Sequence, residues 1–329
     1  MSTQWKRFSL FASILIIALS SIISCGTKPT PAQTPTPSTP LESTITPITA
    51  QPAPASTSNE VREELKIHFI DVGQGDSILI DLGNTEVLID GGEKSPGVVN
   101  YLRNYVDGPL EVMVATHPHA DHIGGLTDVL LTFNVEQVWY NGETSTSKTY
   151  ADFMSAVNSE NAQVHIATRG DLIHADGLSF QVLNPRNLKG TTNNNSIVLH
   201  LKYGQVDFLF EGDAEKEAEA SMLISPDIPV PDIEILKVGH HGSRTASSPD
   251  FLAATTPETA IYMAGVGNTY GHPHKETIQA LTAIGVRIYG TDVHGTIIVE
   301  TDGNKYDVQT EKQAPPITLS VTTPTPSQQ

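Results

Sequence analysis

Between residues 61 and 312 the chain alternates short apolar runs with polar turns: LKIHFIDV, SILIDL, EVLIDGG, EVMVAT, QVWYNG, AQVHIAT, LSFQVLN, SIVLHLKY, VDFLFEGD, IEILKVG, TAIYMAG, VRIYG and TIIVET. Each run is too short for a globular helix and rich in Val, Ile and Phe, residues that fit a pleated, half-buried surface. Thirteen strands are therefore expected. A helical period replaces this pattern in GVVNYLRNYV, ADFMSAVNS, AEKEAEASMLI and KETIQALTAI. In the third, Glu215 and Glu217 fall in the first turn, where negative charge meets the positive end of the helix dipole. In the fourth, Ile278, Leu281 and Ile284 space an apolar stripe. Many strands and few helices predict an α/β fold of two packed sheets with the helices outside.

The ends of the chain lack this patterning. Lys6 and Arg7 precede the apolar run FSLFASILIIALSSIIS, which stops at Cys25, the only cysteine. That is the layout of a secretory signal peptide, and the run is too short to favour a lasting transmembrane helix. IISC resembles a bacterial lipobox, so lipidation at Cys25 and anchoring to the outside of the cell membrane are expected. Residues 25–60 are dominated by Pro, Thr, Ser and Ala and read as an extended spacer; a similar composition from Gln313 to Gln329 reads as a disordered tail. The expected organisation is signal peptide 1–24, linker 25–60, one domain 61–312 and tail 313–329. A lone cysteine excludes a disulfide framework despite export.

The net charge is −18, and loss of Lys6 and Arg7 with the leader would leave −20. An acidic body does not gather polyanions at long range, so no stable nucleic-acid partner is expected. Bound cations can nevertheless dominate a local field, and a metal-centred phosphodiesterase stays open.

The segment THPHADHIGG supplies the cations' candidate ligands. The strand EVMVAT ends at Thr116, and residues two apart on extended backbone point the same way, so His117 and His119 can share one metal. Asp121 and His122, on the following turn, can face a second. Imidazole and carboxylate together suit zinc or a similar ion. Two further strands end in glycine and a candidate ligand: VDFLFEGD offers Asp213 as a bridging carboxylate, and IEILKVGHHGS offers His240 or His241. DVGQGDS lacks the glycine spacing and lysine of a phosphate-binding loop and reads as a tight turn, with Asp76 approaching the same edge.

These motifs, in the order IHFIDVGQGDSILI, VLIDGG, THPHADHIGG, NNNSIVLHLKYG, FLFEGD, LKVGHHGS, NTYGHP and TDVHGTI, resemble the metallo-β-lactamase superfamily. The resemblance is closer still to the hydrolase domain of ComEC-type competence proteins and its stand-alone relatives. It implies an αβ/βα sandwich of two mixed sheets with outer helices and metals at one edge. It further implies that His117 and His119 hold one ion, Asp121 and His122 another, and that Asp213 bridges them. One histidine of GHHGS completes the set, here assigned to His240, which leaves His241 for the substrate. Asp90 is expected to orient a ligand histidine, and Asn268 and His272 to border the substrate. The lactamases and glyoxalases supply a third histidine where this chain has TTNNNSIVLH; the resemblance puts Asn195 of that segment beside the ligands or the substrate. His165, His174 and His200 are expected to be structural, and His294 carries no assignment.

The expected activity is metal-dependent hydrolysis, most directly of a phosphodiester in nucleic acid or a phosphocholine-type ester. Two divalent ions, zinc or alternatively manganese, activate water in that reading. Asp121 orients it, and His241 or His272 protonates the leaving oxygen. The alternatives are a lactam, lactone or thioester hydrolase of the same fold, or a non-catalytic surface lipoprotein related to DNA uptake. Oligomeric state is not legible.

Overall fold

A computed structural model describes residues 62–318; the leader, Cys25 and most of the linker and tail lie outside the described residues. The strands are β1 (Leu65–Phe69), β2 (Ile78–Asp81), β3 (Glu86–Ile89), β4 (Leu110–Ala115), β5 (Val135–Tyr140), β6 (Gln163–Ile166), β7 (Leu172–Ala175), β8 (Leu178–Asn184), β9 (Val198–Tyr203), β10 (Val206–Phe210), β11 (Ile235–Lys237), β12 (Thr259–Tyr262), β13 (Arg287–Gly290), β14 (Ile297–Thr301) and β15 (Tyr306–Thr310). The helices are α1 (Pro96–Leu102), α2 (Ala120–Ile123), α3 (Leu126–Leu130), α4 (Lys148–Ser159), α5 (Lys216–Leu223), α6 (Pro249–Thr255), α7 (Lys275–Ala283) and α8 (Thr291–His294). None is long and apolar enough to cross a membrane among the described residues.

Two mixed sheets result. One runs β15-β14-β1-β2-β3-β4-β5-β6, antiparallel up to β3 and parallel from β3 to β6. The other runs β13-β12-β11-β10-β9-β8-β7, parallel from β13 to β10 and antiparallel beyond. Alternation decides what each face meets. On β10, Phe208 and Phe210 point into the intersheet core with Phe69, Phe180 and Leu201, while Leu209 points to the helices with Leu236 and Ala260. Helices α1, α3 and α4 cover the first sheet through Val98, Leu126 and Phe153; α5, α6 and α7 cover the second through Met222, Phe251 and Leu281. Each such side chain contributes about 1.5–3 kcal/mol on burial, which is what closes the αβ/βα sandwich.

Three expectations change. β7 and β15 are strands that the apolar pattern did not announce; each lies at a sheet edge and buries one face only. On α7 the buried stripe is Thr277, Ile278 and Leu281, whereas Ile284 lies past the helix end and is 49% exposed. The tail does not begin at Gln313. Ile317 bridges Ile288 on the outer edge of β13 and packs on the core beneath it, and Pro315 O lies 3.2 Å from His294 Nε2. A single isoleucine in a Pro-rich stretch is enough to cover an otherwise open strand edge.

Candidate metal centre

The site forms where the parallel strands of both sheets end, the usual place for a site in α/β architecture. Asp90 follows β3, His117 follows β4, Asp213 follows β10, and His240 and His241 follow β11. Three of these residues have left-handed backbone: Asp90 (φ 58°), His240 (φ 48°) and His241 (φ 55°). That conformation costs a non-glycine residue roughly 1–2 kcal/mol and persists because the surrounding turns are over-determined. Gly75 allows one such turn to close. Its φ is +126°, and a Cβ there would stand 2.1 Å from Asp121 O.

Asp213 is the centre of the cluster. Its Oδ2 lies 3.6 Å from His117 Nε2, and its Oδ1 lies 3.2 Å from His122 Nε2 and 3.4 Å from His241 Nε2. One carboxylate thus faces two groups of imidazoles. His119 joins the first group, with Nδ1 3.0 Å from His117 Nε2. Asp121 joins the second, with Oδ2 3.3 Å from His241 Nε2. The far edges of the rings are tied down. His122 Nδ1 lies 2.8 Å from Asp90 Oδ2, whose carboxylate also accepts the Thr116 N–H (2.8 Å) and hydroxyl (2.6 Å). His241 Nδ1 donates to Met263 O at 2.9 Å. The Ser196 hydroxyl sits 3.2 Å from His117 Nδ1 and accepts the Asp213 N–H at 3.1 Å.

His122 Nε2, His241 Nε2 and Asp213 Oδ1 are buried and have no hydrogen-bond partner. Buried polar atoms are rarely left so, and three converging orphans of the right types fit a divalent cation. Two groups have the proximity to hold a metal: His117, His119 and Asp213, and a second containing His122, Asp213, His241 and Asp76. Without a metal, protons stand in. Burial opposes charge on His241, yet Asp213 and Asp76 raise its pKa to about 9. Burial likewise opposes charge on His122, and Asp213 and Asp90 outweigh it, holding the pKa well above its usual value. Asp213 would be raised by burial, but His241 and His122 hold it well below the carboxylate range.

The two histidines of GHHGS are placed in the reverse of the expected order. His241 is buried within the cluster, and His240 stands at its rim, with Nε2 3.8 Å from Asp213 Oδ2 and Nδ1 3.2 Å from Glu215 Oε1. Left-handed backbone at both residues turns the first ring off the strand outward and the second inward. His272 enters the same pocket, its ring centroid 5.2 Å from that of His240. Burial and the neighbouring His241, His240 and His274 lower its pKa to about 4, so it is neutral near pH 7. The pocket holds about 350 Å³ and is lined by His119, Asp121, Asp213, His240, His241 and His272.

Two expected substrate contacts are used elsewhere. Asn268 Nδ2 donates to Gly265 O and His272 O, and its Oδ1 accepts the His272 N–H; all its polar atoms staple its own loop. Asn195 is buried between the Lys189 N–H (2.7 Å) and Glu143 (3.0 Å). Asn193 is the asparagine that reaches the pocket, 3.3 Å from His240 Nε2. His200 pairs with Asp207 at 2.6 Å, His165 stacks on Trp139 and His294 lies against Gly290, whereas His174 is exposed on the edge strand β7. Sequence reasoning missed Ser196, Glu215 and Lys237, which carry no ligand motif of their own. A groove of about 740 Å³ adjoins the pocket at Glu215 and Thr245, both in contact with His240, and Arg186, Lys189, Lys216 and Arg244 line it.

The metallo-beta-lactamase superfamily model matches residues 70–266. ComE operon protein 3 of Bacillus subtilis is 32% identical over an alignment of 259 positions that covers 71% of this chain and 33% of that protein. Recombination protein 2 of Haemophilus influenzae is 29% identical over 254 residues, 74% of this chain and 30% of that protein. Competence protein ComA of Neisseria gonorrhoeae is 29% identical over 241 residues, 71% of this chain and 32% of that protein. The chain thus spans about a third of the length of these ComEC-type relatives. Among solved structures, the metallo-beta-lactamase fold protein YhfI from Bacillus subtilis aligns with a TM-score of 0.50 at 13% identity, covering 73% of this chain and 100% of that one. With its two mixed sheets, its carboxyl-edge His/Asp cluster and the match across residues 70–266, the chain belongs to the metallo-beta-lactamase superfamily as a metal-dependent hydrolase fold related to competence proteins.

Proposed function

We propose that the chain is an exported, lipid-anchored phosphodiesterase that uses two divalent cations, zinc or manganese. His117 and His119 would hold one, Asp121, His122 and His241 would hold the other, and Asp213, which faces both groups, would serve both. Bound there, such cations supply a hydroxide near neutral pH and neutralise the charge developing on the attacked centre. Asp121 accepts a hydrogen bond from the attacking water and aims it. Asp90 fixes the His122 ring through Nδ1, so that Nε2 stays available. Neutral His272 donates to a non-bridging oxygen of the ester. His240, backed by Glu215, gives its proton to the leaving oxygen, a role the sequence had assigned to His241 or His272.

The observation that carries this reading is the split environment of the Asp213 carboxylate, one oxygen facing His117 and the other facing His122 and His241. The adjoining groove supports a phosphodiester with anionic flanks over a compact lactam, since four of the chain's 19 basic residues line it. Anchoring at Cys25 would set this site outside the cell membrane, facing extracellular nucleic acid or envelope esters. A substrate panel tests the assignment: an oligonucleotide, a phosphocholine ester and a chromogenic lactam, each with added zinc or manganese. Cleavage of a phosphodiester with the lactam untouched is expected. Lactam turnover without phosphodiester turnover would transfer the site to acyl chemistry, and inertness toward all with metal bound would leave a binding role.

A further inference from the structure

Lys237 closes β11 with 1% of its surface exposed, a burial that lysine tolerates only when paired. Its ammonium is ion-paired with Asp76 and donates to Gly212 O at 3.0 Å. Both partners lead into the cluster. Gly212 immediately precedes Asp213, and its oxygen also accepts the His240 N–H at 3.0 Å. Asp76, itself 1% exposed, has Oδ1 3.2 Å from His241 Nδ1 and Oδ2 3.9 Å from His122 Nδ1.

The side of the rings decides what Asp76 does. The Nε2 atoms of His122 and His241 face Asp213, and that of His241 also faces Asp121; Asp76 lies at the Nδ1 atoms instead. It therefore stands behind the imidazoles, although its oxygens are near enough to the other donors for ligation. A buried carboxylate in that position, without a counter-charge, would be drawn toward any cation in the cluster.

We propose that Lys237 is a positioning residue: it fixes Asp76 behind His241 and the Gly212 carbonyl ahead of Asp213, so that one buried ammonium keeps His241 Nε2 and the Asp213 carboxylate aimed at a common point. This rests on the metal-site reading above and is independent of which ester is cleaved.

The test compares zinc affinity, by competition with a chelator, and metal-free thermal stability in the full chain, Lys237→Met and Asp76→Asn/Lys237→Met. Lys237→Met strands a buried carboxylate and is expected to lower the Tm sharply or to prevent folding. Replacing both charges with neutral groups of similar size is often harmless to stability, so the double variant is expected to melt close to the parent. It is nevertheless expected to bind zinc about 10–100-fold more weakly. Parental zinc affinity in the folded double variant would make the pair simple packing and overturn the proposal, as would a double variant that does not fold. A parent chain that binds no zinc would remove the metal site itself, and the proposal with it, while leaving the thermal comparison intact.

Discussion

His240 and His241 are adjacent yet face different surroundings, and their variants should separate accordingly. His241→Asn is expected to remove metal affinity and turnover together. His240→Asn is expected to keep the metal and to lower kcat by about 10²–10⁴-fold on an ester with an alkoxide leaving group. On a p-nitrophenyl ester, whose leaving group departs unprotonated, the loss should be far smaller; equal losses on both would rule out proton donation. Titration gives a second expectation. In the metal-free fold His241 is raised from 6.5 to about 9, chiefly by Asp213 and Asp76 against burial. Its stabilising contribution is complete below pH 6.5 and is lost as the pH rises through 9. Glu86, raised from 4.5 to about 7 by burial and by Glu111, acts in the same direction at lower pH, between those two values, where the fold retains a proton that the unfolded chain has released. The metal-free Tm should therefore fall between pH 6.5 and 9 in a thermal scan, and a rise would contradict the pairing. The residue types of the site were legible because HxHxDH is too dense in ligands to be accidental. Which way each side chain points was not, because the direction of His240, Asn195 or Asn268 is set by loop torsions that tertiary packing fixes.

At the scale of elements, the site depends on turns pressed against one another. Gly73 and Gly75 share the turn after β1, both with positive φ, but only Gly75 meets another segment: a Cβ at Gly73 has nothing within 4 Å. Gly73→Ala is expected to show backbone strain alone, on the order of 1–3 kcal/mol. Gly75→Ala should destabilise further and weaken metal binding, because Asp121 must move; thermal melts and zinc titrations of the pair check this. Equal effects would mean that the Gly75 contact does not position Asp121. Thirteen strand runs were readable from their apolar content, as were α1, α4, α5 and α7. β7 and β15 were not, since an edge strand buries one face and LIHA and YDVQT carry only half the apolar signal. The short α2, α3 and α8 span four or five residues, below the length at which a helical period shows, and α6 was not announced either.

For the whole molecule, the question is how a chain of charge −18 would receive an anionic substrate. The groove lined by Arg186, Lys189, Lys216 and Arg244 offers a local answer. Lys189→Glu and Arg244→Glu are expected to raise KM for an oligonucleotide and to flatten its salt dependence, while leaving bis(p-nitrophenyl) phosphate turnover unchanged. A parallel loss on both substrates would place the groove's charges in the chemistry itself. The packing of Ile317 on β13 was not legible in composition, because one apolar residue in a Pro-rich stretch has no periodicity to reveal it. The family was legible over nearly the whole domain, since the motifs mark strand ends that the fold brings to one edge. The measurement that bears most directly on the central claim is hydrolysis of bis(p-nitrophenyl) phosphate by the purified chain with added zinc or manganese, beside Asp121→Ala and a chelated control. Turnover that is lost in both controls is the expected result; turnover that survives chelation, or the absence of turnover with metal demonstrably bound, would contradict it.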